Sequence, residues 1–251
     1  CRAAAARRRV AARRAARTGR PRGVRLPSII AMAPPTRPVT RAAVPRGRHA
    51  PPLEVRLRLQ RERLFEAAAS VFAQVGYADA SAEAISRAAG MSKATFYEHF
   101  ANKEECILAL FDHAWEVLIK RIVRAATSAG SDPLERLRAG VRAFLVALEE
   151  FPNEAQTLLV EIIGAGPAAA QRRDEIIARF ATVLDRENER MAAVHDFPRF
   201  ASPDDAFAIV GAIAELASRQ LRLGQPEHPT DLQPVIERFA VGLLGQARPA
   251  A

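Results

Sequence analysis

Cysteine is nearly absent: Cys1 and Cys106 are the only two in 251 residues. A disulfide framework is therefore not the organising device, and a reducing, cytoplasmic setting is the simple expectation. Aromatic residues make up only 6% of the chain while alanine abounds, a balance that favours close-packed helices over sheets. Runs of some 18 apolar residues are missing, which argues against a membrane-spanning helix and a membrane partner. The basic N-terminus has no apolar segment of the signal-peptide kind behind it. Catalytic signatures are missing too. The five histidines, at positions 49, 99, 113, 195 and 228, are scattered, and no Cys/His cluster has metal-ligand spacing. Neither a glycine-rich phosphate loop nor a G-x-S-x-G elbow occurs. An enzyme is not expected, and neither is a metal or cofactor.

Negative charge is missing from one region in particular. Residues 1–52 hold 14 Arg and no Lys, Asp or Glu, whereas the remainder carries 23 basic against 28 acidic residues. The formal net charge of +9 thus belongs to this extension and not to the body. Arginine, alanine and proline dominate it without a sustained apolar period, so disorder is the expectation. Three readings stay open: an arm that tracks phosphate without reading sequence, an idle tail, or translated GC-rich upstream DNA ahead of a shorter product opening at Met32.

From about residue 54 helical periodicity is continuous. Leu64, Ala68, Val71, Phe72 and Val75 form one stripe, ending at Gly76. Ser81 is an N-cap candidate for "AEAISRAAG", with Ile85, Ala88 and Ala89 on one face and Gly90 as the stop. Asn102 opens a longer helix whose stripe runs Ile107, Leu108, Phe111, Trp115, Leu118 and Ile122, with Glu105 as capping-box partner. Asp132-Pro133 and Ser202-Pro203 mark two further helix starts, and Gly164, Gly166 and Pro167 a break. Gly224 with Pro226 ends one helix, and a last one runs from about Leu232 to a stop at Gly245. No alternating strand pattern competes. The expected fold is all-α, with about nine helices.

Between Gly90 and Glu105, "GMSKATFYEHFANKEE" combines small and apolar residues with many hydrogen-bonding groups. Two short helices joined through "AGMS" fit a helix-turn-helix, with Gly90 free to take φ > 0 and Met91 plugging the gap. Such a motif lays its second helix in the major groove. Phe96 and Phe100, four apart, supply the buried face of that helix, and Ser92, Lys93, Thr95 and Tyr97 the exposed one.

From Arg61 to about Leu110 the chain resembles the N-terminal domain of the TetR family of transcriptional regulators. The carrying residues are "RERLFEAAASVFAQVGY" and "SAEAISRAAGMSKATFYEHFANKEECILAL". The resemblance implies a base-edge or phosphate contact at Lys93, beside Ser92, and a second groove-facing contact at Thr95. It implies phosphate contacts at Tyr97 and His99, another at Lys103 in the first turn of the next helix, and others at Ser81 and Arg61. Ala80 departs from the pattern, because Thr is common near that position. Residues 56–103 carry 7 basic and 5 acidic residues, so affinity would rest on placed donors and dimer symmetry more than on a broad positive field.

Three segments follow: a disordered extension at 1–52, a helix-turn-helix domain at 53–102, and a ligand-binding and dimerisation domain at 103–246. Residues 126–251 hold 13 basic and 18 acidic residues, unlike a DNA-binding surface. By resemblance this part pairs two chains through the helices bearing Phe207, Val210, Ala214 and Ala217 and bearing Val235 and Phe239; the same stripes would serve equally as intrachain core. For an effector pocket the candidates are Trp115, Phe144, Glu161 and Phe180, with plain core packing the alternative for each aromatic. Glu161, a carboxylate among apolar neighbours, needs a partner, either a cationic ligand or an arginine such as Arg179. The function implied is a ligand-responsive repressor that binds a palindromic double-stranded DNA operator as a homodimer. The alternatives are a helical small-molecule carrier, and a non-specific nucleic-acid binder acting through the Arg-rich extension.

Overall fold

Nine α-helices and two short 3-10 turns account for the described residues, 52–195 and 197–244, of the computed structural model. No strand occurs among the described residues, and the chain is all-α. The Arg-rich extension and the stop at Gly245 lie outside the described residues. In chain order the helices are α1 (Leu53–Asp79), α2 (Ala82–Ala88), α3 (Lys93–His99), α4 (Lys103–Ser128), α5 (Pro133–Glu150), α6 (Pro152–Leu159), α7 (Pro167–Val194), α8 (Pro203–Leu223) and α9 (Gln233–Leu244). One 3-10 turn, Glu161–Gly164, follows α6, and another, Pro229–Leu232, precedes α9.

The helix starts sit where side-chain oxygens can satisfy free amides. Ser81 accepts from Ala84 N, Ser92 from Thr95 N, Asn102 from Glu105 N, and Asp132 from both Leu134 N and Glu135 N. Ser202 and Asp205 form a full capping box ahead of α8. At the other end of α8 Gly224 takes the left-handed conformation, φ 64°, which costs a side chain with a Cβ about 1–2 kcal/mol. The first helix differs from its expected form. It does not stop at Gly76 but kinks there (φ 80°, ψ 160°) and resumes to Asp79.

Two apolar clusters hold the fold. The first gathers Leu64, Phe65, Phe72, Ile85, Phe96, Phe100, Ile107 and Leu110 from α1 to α4, and continues into Ile162, Ala169 and Ile176. It therefore spans the expected 102/103 division. Burial pushes the Cys106 thiol in this cluster up to about 12, so it stays a protonated, unreactive packing group at neutral pH. The second cluster collects Val141, Leu145, Leu148, Ala155, Ala217, Leu232 and Ile236. Each large side chain fully removed from water contributes about 1.5–3 kcal/mol before conformational entropy is charged against it. Two expected stripe positions stay outside: Val75 is exposed, one turn beyond the last fully buried α1 residue, Phe72, and Ala88 also faces solvent.

Helix α5 lies along α4 and α8 along α7, while α6 packs against both α1 and α8. A partly buried ion pair ties α5 to α7: Arg136 donates through Nε to Glu187 Oε1 at 2.8 Å, and through Nη1 to Gly130 O at 3.0 Å. No helix among the described residues is long and apolar enough to cross a membrane.

Candidate nucleic-acid interface

The turn between α2 and α3 is built by short backbone bonds. Gly90, at φ 66°, lets its own N–H reach Arg87 O (3.1 Å) and Met91 N reach Ser86 O (2.9 Å), reversing the chain within three residues. Met91 packs half-buried against the first core cluster. Arg63 from α1 reaches the end of α2 through Nη2 to Ala89 O, at 3.4 Å. The α3 helix is then bolted down by aromatic rings: Phe96 and Phe100 are essentially fully buried, their centroids lie 5.5 Å apart, and Phe65 of α1 sits 5.7 Å from Phe100.

With that face fixed, the opposite face is held out to solvent. Ser92 and Lys93 are exposed, and Tyr97 is 50% exposed. The Tyr97 ring meets Phe96 edge-on at 5.5 Å, and Lys93 Nζ lies 5.9 Å from its centroid, at the outer limit of a cation–π contact. Thr95 is half-buried and its hydroxyl lies 2.9 Å from that of Ser92. His99 Nε2 stands 3.4 Å from Gln60 Oε1. Burial first, then the Arg61 charge, hold this imidazole below the ordinary histidine range, against a weaker opposing effect of Glu98. Arg61 is exposed, its guanidinium 5.0 Å from the Phe100 ring and 5.3 Å from Phe65. Its neighbours thus hold the cation in a defined place at the edge of the motif. Gln60 and Arg63 carry no signal in the sequence alone, because their partners lie 39 and 26 residues away.

Lys103 has partners within its own chain. Its ammonium donates to Tyr77 O (2.8 Å), Ala78 O (2.9 Å) and Ala80 O (3.1 Å), and lies 4.5 Å from the Tyr77 centroid. An ammonium has three protons, and all three are taken by carbonyls left unpaired where α1 ends. In the chain without DNA the residue closes the α1–α2 corner. Ser81, by contrast, is exposed at the start of α2 with its oxygen on Ala84 N at 3.1 Å.

The effector candidates do not form a single group. Trp115 and Phe180 meet edge-to-face, 4.1 Å apart, against the first cluster, while Phe144 packs on the second. Glu161 takes partners other than Arg179. Its Oε2 accepts from Tyr77 N at 3.1 Å and its Oε1 from Gln156 Nε2 at 3.3 Å. An open groove of about 360 Å³ between α1 and α4 is lined by Arg58, Arg61, Glu62, Phe65, Asp112, His113 and others, and none of the four candidates borders it.

Among the pairing candidates, Phe207, Val235 and Phe239 are 41–45% exposed, and Val210 and Ala214 are half-buried. Ala217 differs from them: at 0% exposure it packs inside the chain's own second cluster.

Residues 64–110 match the family model described as bacterial regulatory proteins, tetR family. The HTH-type transcriptional activator FasR of Mycolicibacterium smegmatis is 38% identical over 90 residues, 36% of this chain and 41% of FasR. The chain thus spans about two fifths of that relative's length. The fatty acid degradation regulator FadR of Bacillus halodurans superposes with a TM-score of 0.67 at 21% identity, over 75% of this chain and 97% of that one. FadR of Bacillus subtilis, solved in complex with stearoyl-CoA, gives 0.64 at 19% identity, over 72% and 97%. At those identities the two structures establish the shared fold.

Proposed function

We infer, from the premise that this is a TetR-family chain, that it regulates transcription by binding a palindromic operator as a homodimer and releasing it when a small molecule occupies the C-terminal body. The observation that carries this reading is α3 itself. Its Phe96 and Phe100 are locked in the core while Ser92, Lys93 and Tyr97 stand in solvent on the other face. That division of labour suits a helix seated in a major groove. The contacts we assign to DNA are Arg61, Ser81, Ser92, Lys93, Thr95, Tyr97 and His99. Pairing through Phe207, Val210 and Ala214 of α8 and Val235 and Phe239 of α9 would cover exposed aromatic surface and set two α3 helices roughly 34–36 Å apart, one turn of DNA.

The effector class we assign is a long-chain acyl-CoA, by likeness to the B. subtilis FadR, of which this chain's fold covers nearly the whole. Repression is the sign we assign, by way of release on ligand binding: a ligand that binds the non-DNA state better empties the operator by linkage.

Fluorescence anisotropy on the gene's own upstream duplex tests the reading, with the full chain, a chain starting at Pro52, and Tyr97→Ala in the shorter chain. The short chain is expected to prefer this duplex to a scrambled one. Tyr97→Ala should weaken binding about tenfold or more, the worth of a charge-assisted hydrogen bond. Equal binding of both duplexes by the full chain alone would transfer the activity to the Arg-rich extension and sink the assignment.

A further inference from the structure

The kink in α1 leaves a polar debt that is settled from two directions. Beyond Gly76 the Tyr77 N–H points out of the helical ladder, and the Glu161 carboxylate accepts it at 3.1 Å. The approach is close: a Cβ on Gly76 would stand 3.4 Å from Glu161 Oε2, so this glycine serves both its positive φ and the carboxylate beside it. The carbonyl of the same Tyr77 accepts from Lys103 Nζ at 2.8 Å, and the next residues, Ala78 and Ala80, share that ammonium. One residue is therefore held between a carboxylate from the C-terminal body and a cation at the head of α4. Four residues further on, Ser81 caps the first helix of the helix-turn-helix.

Glu161 is also not an isolated tie. Thr157, fully buried on α6, donates to Ala69 O of α1 at 3.0 Å. Between these two residues, Leu159 O accepts from Ser218 Oγ of α8 at 2.9 Å, and Ser218 is 1% exposed. Within five residues, 157 to 161, the end of α6 is bonded on one side to the DNA-binding helices and on the other to the helix assigned to pairing. All three bonds are buried or partly buried, so displacement of α6 breaks or carries them with little help from solvent.

We propose that residues 157–161 are the transmission joint of this protein, and that the Glu161 bond to the Tyr77 amide is the contact through which the C-terminal body sets the pose of the helix-turn-helix. The joint converts a shift of α6 into a rotation of the 76–80 segment and hence of α2 and α3, which share its core. In this proposal Glu161 is a positioning residue that acts through the Tyr77 amide.

The decisive test needs neither DNA nor ligand, and uses the full chain. Amide hydrogen exchange is followed over residues 77–100 in the wild type, Ser218→Ala, Glu161→Ala and the double variant, with Glu161→Gln as a control that retains an acceptor. Glu161→Ala should speed exchange at Tyr77 about ten- to hundredfold, as expected for loss of a charge-assisted bond, and Glu161→Gln should restore part of the protection. Ser218→Ala should speed exchange over 77–100 in the wild-type background but add nothing once Glu161 is Ala. Equal effects of Ser218→Ala in both backgrounds, or wild-type exchange in Glu161→Ala, would overturn the joint.

A second arm rests on the acyl-CoA reading above and uses stearoyl-CoA as probe. The wild type should lose operator affinity about 5- to 150-fold when the probe binds, the usual range of such coupling. Glu161→Ala should bind each ligand alone but show little coupling. A wild type blind to stearoyl-CoA, with the exchange result intact, would refute the effector class and leave the joint standing. A variant that couples as strongly as the wild type would refute the joint.

Discussion

Lys103→Met separates two roles that the sequence cannot tell apart. Methionine keeps most of the alkyl stem against the Tyr77 ring and removes the ammonium. Three carbonyls, at 2.8, 2.9 and 3.1 Å, then lose their donor. A hydrogen bond to a charged group is worth about 1.5–3 kcal/mol, but three sharing one half-buried nitrogen do not add, and water can reach part of the site. Loss of the 4.5 Å cation–π contact adds about 0.5–1 kcal/mol. A total of about 2–3 kcal/mol follows. For a body of this size that is roughly 4–12 °C in Tm, with an unchanged denaturant m value. The companion measurement is the salt dependence of operator binding. A lysine that neutralised a phosphate would remove about 0.9 from the log–log slope per copy; the corner-closing role leaves the slope unchanged even if the affinity falls with stability. Wild-type stability together with a reduced slope would refute the reasoning and return Lys103 to the phosphate contacts.

Other perturbations follow from the same geometry. Phe100→Ala should cost about 3–5 kcal/mol in equilibrium unfolding, because it empties a site at the junction of α1 and α3; a loss under 1 kcal/mol would mean that the ring does not anchor α3. Burial alone would raise the Glu187 carboxyl, but hydrogen bonds from Arg190 and Arg136 outweigh it and hold the group below the usual carboxylate range. The stability this pairing contributes is present above the unfolded carboxylate pKa of about 4.3 and is lost as pH falls through the lower folded value. Arg136→Ala should therefore cost about 2 kcal/mol at pH 7 and flatten the acid limb of the stability curve, an effect readable by urea titration from pH 7 to 3. His99 is held below the ordinary histidine range by burial and by Arg61. Its neutral form is favoured in the folded state, so its contribution to stability is full above about pH 6.5 and is lost as pH falls through the lower folded value. A phosphate beside the ring would oppose that shift. Operator affinity should then rise from pH 7.5 to 6 in the wild type and not in His99→Gln, and anisotropy at fixed salt would expose the opposite trend.

The helix starts were legible because they are local. Ser81, Ser92, Asn102, Asp132 and Ser202 each satisfy an amide two or three residues away, a distance over which sequence and structure are nearly the same information. The division of α3 into a buried and an exposed face was legible for a similar reason: Phe96 and Phe100 are one turn apart, and a helix puts such pairs on one side. What the pattern of apolar residues left open was which of two helices an apolar side chain faces. Ala217 and Phe207 belong to the same stripe of α8, yet one ends inside its own chain and the other in solvent.

The chain alone determined its all-helical class, the punctuation of its helices, and a donor-bearing helix after a glycine turn, since each depends on spacing within a few residues. Only the tertiary structure decided what the charged side chains do. Lys103 meets the end of α1 across 23 to 26 residues, and Glu161 meets Tyr77 across 84. A long side chain bonds whichever unpaired backbone group folding brings beside it. Here folding brought a glycine kink to both and made them the two supports of one corner.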